Sequence, residues 1–367
     1  MRRINPPHTF FMHINSKSLL KIAIGAFIFF DISLLAYAAY VYGTNRRIGD
    51  QTLPRPNTAS FPPIPKGKSI RIATWNTGYG AYSDDYTFFM DGGKESRARS
   101  VAEVEKHIAG IAQVLEDERV DIALLQEVDT DGDRSCHVDE WAYYTKRFSS
   151  FDNVYASNYD SPYLLWPPTD PIGKAKSGIG ILSRYAIGES RRVSLPISGG
   201  FKKVVDLDRC YTVSTFKTES GKNLYIYNVH LTAYGGGDDI ARAQIAMLAQ
   251  DIGSRLAQGD EIICGGDFNH DLPTDSVERF NGKAKALGWC KPFLHDLLPE
   301  GVRYIAPQNP SVATSRLLDK PYVRGSSFVA TIDGFFASSG IEILNCQHID
   351  EEFQNTDHNP VILDFKI

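Results

Sequence analysis

The chain of 367 residues holds only five cysteines, Cys136, Cys210, Cys264, Cys290 and Cys346, and no two of them stand in CxxC spacing. That scarcity argues against a zinc site built from thiolates, which needs closely spaced pairs. Cys264 lies in an apolar run and reads as a small buried hydrophobe; one or two disulfides among the others are open to an exported protein. Positive charge is also in short supply. Lys and Arg number 39 against 44 Asp and Glu, and residues 1–47 carry six basic side chains against Asp31 alone, so taking that +5 out of the formal charge of −5 leaves the remainder at −10. Such a body lacks the excess of Lys and Arg that displaces counterions from nucleic acid, so broad contact with phosphate backbones is disfavoured, although a local basic rim is compatible with a negative total. At 43% hydrophobic residues the composition excludes global disorder and suffices for a sizeable core.

One long apolar run is present. Ile22 to Tyr42 is interrupted by a single formal charge, Asp31, and has the length that spans a hydrocarbon core as a helix. Arg2, Arg3, Lys17 and Lys21 precede it and Arg46 and Arg47 follow, which places the N-terminus in the cytoplasm and the body outside. Ala36-Tyr37-Ala38 also fits a signal-peptide cleavage pattern, giving secretion as the alternative; the run is long for that purpose, and an uncleaved anchor is preferred. Five prolines between Leu53 and Lys68 read as an extended spacer. The expected division is a cytoplasmic segment 1–21, a transmembrane anchor 22–42, a Pro-rich linker 43–68 and a catalytic body 69–367.

Past Ser69 strand-like and helix-like segments alternate. Glu95 to Glu118 places Val101, Val104, Ile108, Ile111 and Leu115 on one helical face, and Asp238 to Leu256 does the same with Ala241, Ile245, Leu248, Ile252 and Leu256. Gly178 to Leu182, Tyr211 to Phe216 and Leu224 to His230 are strand candidates. Alternation of this kind indicates layered α/β packing; periodicity alone does not separate a sandwich from a doubly wound sheet.

Several apolar runs meet a polar residue in the same way. Ile262 to Asp271 (IICGGDFNHD) ends its run in two glycines, which let backbones approach closely, and then presents Asp267 and Asn269. Arg71 to Asn76, Asp121 to Glu127, Leu224 to His230, Thr331 to Phe336 and Thr356 to Pro360 also set Asn, Glu, Asp or His beside an apolar run. A convergent polar site at one end of packed sheets explains all six.

The ordered set WN at Trp75-Asn76, QE at Gln126-Glu127, NVHL from Asn228, GGDFN from Gly265, IDGFF from Ile332 and TDHNPV from Thr356 resembles the endonuclease/exonuclease/phosphatase superfamily from about residue 70 onward. The resemblance implies a four-layered α/β/β/α sandwich, two sheets face to face with helices outside, and hydrolysis of phosphoric esters. It also implies Glu127 as a ligand of Mg²⁺, with Mn²⁺ as the other candidate, Asn76 beside it and Asp357 as a further contact. Glu127 suits this by itself, because Mg²⁺ prefers hard oxygen ligands. His358 is the candidate general base, since imidazole exchanges protons near neutral pH, and the resemblance supplies Asp333 as its partner. By the same resemblance His230 donates to the scissile phosphate, Asp267 orients water or protonates the leaving group, and Asn269 holds a phosphate oxygen.

Asp129 to Glu140 (DTDGDRSCHVDE) has the acid spacing of a calcium loop but carries Arg134 where the glycine belongs. It reads instead as a polar loop beside the site, with Arg134 placed to reach a substrate phosphate. The aromatic stretches Tyr79 to Met90 and Tyr155 to Trp166 can stack on bases or line a headgroup pocket. The expectation is therefore a monomeric, Mg²⁺-dependent phosphoesterase at the cell membrane acting on a lipid headgroup or small phosphorylated compound. A surface nuclease with nucleic acid as partner is less favoured, and a catalytically silent anchored binding protein is the alternative of another class.

Overall fold

The computed structural model describes residues 16–55, 60–199, 207–233, 237–282, 288 and 290–367, in two units, Met1–Thr44 and Asn45–Ile367. The described part of the first unit is one helix, α1 (Ser16–Thr44), which contains the whole apolar run. At 1.5 Å per residue it is roughly 43 Å long, more than the ~30 Å of a hydrocarbon core. Its mean hydropathy reaches 2.1, and large side chains such as Phe29 and Leu35 stand open on it. By length and composition this helix can cross a membrane.

The body runs β1 (Gln51–Thr52), β2 (Ile70–Asn76), α2 (Val101–Asp117), β3 (Ile122–Gly132), α3 (Glu140–Arg147), β4 (Asp152–Asp160), β5 (Ala175–Ser183), β6 (Ile187–Ser194), β7 (Cys210–Lys217), β8 (Asn223–His230), α4 (Gly237–Leu256), β9 (Glu261–Asp267), α5 (Ser276–Asn281), β10 (Val302–Tyr304), β11 (Ser315–Arg316), β12 (Val329–Ala330), β13 (Asp333–Ser338), β14 (Glu342–His348) and β15 (Val361–Lys366). One sheet has the order β1-β6-β7-β8-β9-β13-β10 and the other β14-β15-β2-β3-β5-β4, with β11 and β12 as a separate pair. In the two large sheets only β2/β3 and β8/β9 are parallel, and α2 and α4 make those two crossovers. A parallel neighbour needs such a helical return, while antiparallel neighbours do not. Each sheet is thus one βαβ unit extended by antiparallel strands, which rules out the doubly wound alternative.

Period-two alternation sorts the side chains into layers. On β8, Leu224 and Ile226 join Ile72, Leu124, Ile263 and Phe335 in the core between the sheets. Tyr227 and Val229, on the other face, pack with Ile245, Leu248 and Ile252 of α4. On the opposite side Val104, Ile108, Ile111 and Leu115 of α2 cover Ala73, Trp75 and Leu125. The result is the expected α/β/β/α sandwich.

Two sequence expectations change. The helix predicted from Glu95 begins only at Val101, because Ser100 caps it by accepting from the Glu103 amide at 3.2 Å, and Val101 is left exposed. The tract 43–68 does not run free as a spacer: among its described residues, β1 pairs with Arg191 and Arg192 of β6, and Leu53 and Ile64 are buried in the core between the sheets. Apolar side chains spaced along the proline-rich stretch gain more by docking on the body than the stiff extended backbone gains in solvent.

Candidate active site

Strand direction explains how six separate segments meet. Asn76, His230 and Asp267 close β2, β8 and β9, whereas Asp333 opens β13, which runs antiparallel to β9 with Asp333 opposite Asp267. Thr356 to Asn359 lead into β15, antiparallel to β2. Ends of some strands and starts of others therefore lie at one rim of the sandwich.

Glu127 does not close its strand. β3 continues to Gly132, and its pairing with β5 shifts register between Leu125 and Val128, so Gln126 and Glu127 form a bulge. Glu127 has φ 55°, a left-handed backbone that an L-residue adopts only at a cost. A bulge re-aims side chains: Gln126 is fully buried and donates to Asn228 Oδ1 at 2.7 Å, and Glu127 keeps 16% of its side chain exposed, with Oε1 3.7 Å from His230 Nε2. Among the described residues no hydrogen-bond donor meets the Glu127 carboxylate. Burial first, and then the charge of Asp357, push its carboxyl up to about 7 against the opposing pull of His358 and Arg134.

Asp267 stands beside it. Asn76 Nδ2 donates to Asp267 Oδ2 at 3.0 Å and the Asn269 amide to Oδ1 at 2.9 Å, while His230 Nε2 lies 3.6 Å away. Burial and the neighbouring Asp333 raise this carboxyl to about 6. His230 is pushed the other way, well below the usual histidine range, by burial and by the positive charges of Arg209 and His358. The neutral ring so favoured, together with the long separations, makes His230 a neighbour of the two carboxylates rather than an ion-pair partner. The Asn269 side chain donates to the Leu231 carbonyl at 3.0 Å.

His358 and Asp333 form a direct pair, Nδ1 to Oδ2 at 2.8 Å, both buried. The Asp333 amide donates to Thr314 Oγ1, and Trp75 Nε1 donates to the His358 carbonyl at 2.8 Å, so both partners are fixed from behind. On its other side His358 Nε2 has Ser315 Oγ at 3.4 Å and Asp357 Oδ2 at 4.0 Å. Burial alone would lower the imidazole, but Asp333, Asp357 and Asp267 together hold it well above the ordinary value. Burial also raises Asp333 and Asp357, opposed in both by His358 and in Asp357 by Arg316.

Eight of the nine residues singled out in the sequence meet at this rim. Arg134 does not turn toward it: its guanidinium forks onto Asp129 at 3.0 and 2.8 Å, lies 3.3 Å over the Tyr79 ring and is buried. A guanidinium held so completely by its own carboxylate acts on Glu127 only through its field. Tyr79, Tyr82 and Tyr86 are buried as well and pack as core instead of lining a pocket. Ser315, Arg316, Arg209, Gln126 and Asn228 contribute to the site without having been picked out. None of their local patterns sets them apart, apart from the NVHL and QE motifs that contain the last two.

Two groupings offer themselves to a cation. Asp267, Asp333 and His358 have ligand atoms within 4.8 Å of one another, but there the His358 nitrogen nearest Asp333 is already engaged by it. The charge of Asp357 raises the Glu127 carboxyl, and although Asp357 Oδ1 accepts from Thr356 Oγ1 at 3.2 Å, no donor among the described residues meets Glu127, which makes its carboxylate the better-suited oxygen ligand.

Residues 73–358 match the Endonuclease/Exonuclease/phosphatase family. The chain belongs to that family, whose members are hydrolases acting on phosphoester bonds. Solved structures agree in fold. An endonuclease/exonuclease/phosphatase from Beutenbergia cavernae superposes with a TM-score of 0.57 at 15% identity, over 82% of this chain and 72% of its own. TDP2 from Caenorhabditis elegans gives 0.51 at 15% identity, over 82% and 76%. ANGEL2, described as a 2',3'-cyclic phosphatase, gives 0.53 at 15% identity, over 87% and 98%. No curated protein sequence matches the chain.

Proposed function

We propose that the chain is a membrane-tethered, Mg²⁺-dependent phosphoesterase of the extracytoplasmic face, hydrolysing an ester of a lipid headgroup or small phosphorylated compound. The observation that carries this reading is the pairing of an uncommitted carboxylate, Glu127, with a buried His358–Asp333 dyad at the same rim. Glu127 and Asp357, with Asn76 adjoining, would hold the cation, which when bound would neutralise phosphate charge. His358 takes the proton of the attacking water, and Asp333 fixes its tautomer through Nδ1 and supports the charge that develops. Asn269 and the neutral His230 supply hydrogen bonds to phosphoryl oxygens, and Asp267, raised to about 6, is able to carry a proton to the leaving group. A nuclease remains the competing reading, but the burial of Tyr79, Tyr82 and Tyr86 takes the core of one of the two aromatic stretches out of use as a stacking platform.

The test is a screen of the purified full chain with Mg²⁺ or Mn²⁺ against phospholipids, sugar phosphates and nucleic acid. Activity is expected on one of the first two, abolished by a chelator and restored by the metal. Glu127→Gln should weaken the metal requirement far more than it lowers thermal stability. Full activity in chelator removes the mechanism, and turnover of nucleic acid alone establishes the nuclease.

A further inference from the structure

Outside α1, Trp166 and Leu165 are among the large apolar side chains most open to solvent, at 67% and 49% exposure, and they are adjacent. Scattered exposed apolar residues need no explanation, but this pair sits in a loop that is pinned open. Leu164 and Gly173 exchange backbone hydrogen bonds of 3.0 and 3.2 Å across its neck, Ser96 Oγ donates to Asp170 Oδ2 at 2.8 Å, and the Lys174 amide donates to Asp133 Oδ2 at 2.7 Å. The loop joins β4 to β5, and Ala175 at its end pairs with Gly132, farther along β3 than Glu127. It therefore projects from the same end of the sandwich as the site.

The body's first residues attach at that end too. Arg47 pairs with Asp208 at 2.7 Å, the Ile48 amide donates to Asp208 Oδ2 at 3.0 Å, and Asp208 lies two residues before Cys210, whose strand partner is His230. A cleft of about 440 Å³ runs between Arg46–Gln51 and Ser157 and Asp160, at the foot of the Leu165–Trp166 loop. From Thr44, where α1 ends, to Ile48 the chain can reach at most roughly 14 Å. The segment that follows α1 in the chain thus joins the body at its catalytic end, and Arg46 on it is exposed and available to anionic headgroups.

We infer that the loop carrying Leu165 and Trp166 is a docking surface for the lipid bilayer, inserting these two side chains at the headgroup level and turning the catalytic rim toward the membrane. Indole is suited to that boundary, where its ring leaves water and its N–H stays hydrated. The inference rests on the anchor reading above.

The full chain, reconstituted in nanodiscs of phosphatidylcholine and phosphatidylglycerol, tests it through tryptophan fluorescence, because α1 contains no tryptophan. The emission of Trp166 is obtained as wild type minus Trp166→Phe. It should fall about twofold or more in discs of acyl-brominated lipid, as expected for a side chain seated 5–10 Å into the interface, and be shielded from aqueous iodide. Leu165→Asp should undo the bromolipid quenching while hydrolysis of bis(p-nitrophenyl) phosphate stays unchanged, which also shows that the variant is folded. Trp166 emission quenched by iodide and untouched by bromolipid overturns the inference. So does emission shielded from both, which would mean that a second copy covers the loop. Loss of the chain from the discs would instead overturn the anchor reading.

Discussion

Glu127 stands in a left-handed bulge with an unmet carboxylate, and its acid–base behaviour should be visible in metal binding. Its carboxyl is held up to about 7 by burial and by Asp357, and a carboxylic acid must lose its proton to bind a cation. The proton competes below that value, so Mn²⁺ affinity should fall about tenfold per pH unit below roughly 7 and level off above it. Calorimetry across that range should show the slope in the wild type and its loss in Glu127→Gln; a flat wild-type profile would sink the assignment. The dyad gives a second test. A general base contributes about 10²–10⁴-fold, so His358→Ala should lower turnover by that range, and the buried Asp333 left behind should cost stability of about 1–3 kcal/mol. Asp333→Asn acts through the same imidazole, so the double variant should be little slower than His358→Ala alone. Multiplicative losses would show two independent residues.

At the scale of elements, the β8–β9 pair carries His230 and Asp267 and depends on Gly266. A Cβ there would lie 2.0 Å from the Val229 carbonyl oxygen, so the strands must separate to admit it. Gly266→Ala is expected to destabilise by about 3 kcal/mol, well beyond the cost of about 1 kcal/mol for removing the α2 cap with Ser100→Ala. Denaturant titrations of the two variants compare them directly, and Gly266→Ala within 1 kcal/mol of wild type would show that the sheet yields more easily than its geometry indicates. The two glycines were legible in the sequence as a close backbone approach. The bulge in β3 was not, since an apolar run followed by QE reads the same whether the strand stops or continues.

For the whole molecule the outstanding question is orientation. With the longer basic flank at the N-terminus, protease added to intact cells should remove the body and leave α1 with the membrane. Cleavage only after lysis would reverse the orientation, and free protein in the medium beginning near Ala39 would establish a cleaved signal segment.

The sequence by itself determined the layered α/β architecture, the apolar span and the chemistry-bearing residue types, because each is written locally: a helix repeats its apolar face every three to four residues, a strand every two, and a site residue follows its run directly. The order of those motifs carried the family. Only the tertiary structure decided which groups face one another. The antiparallel setting of β13 against β9 brings the first residue of one strand beside the last of another, and the bulge turns Glu127 toward His230. Arg134 shows the converse: a basic residue in a polar loop looks available in the chain, yet the fold buries Asp129 beside it and binds the guanidinium there. Pairing across long sequence separation depends on strand direction, register and burial, and none of these is set by the residues next to the side chain.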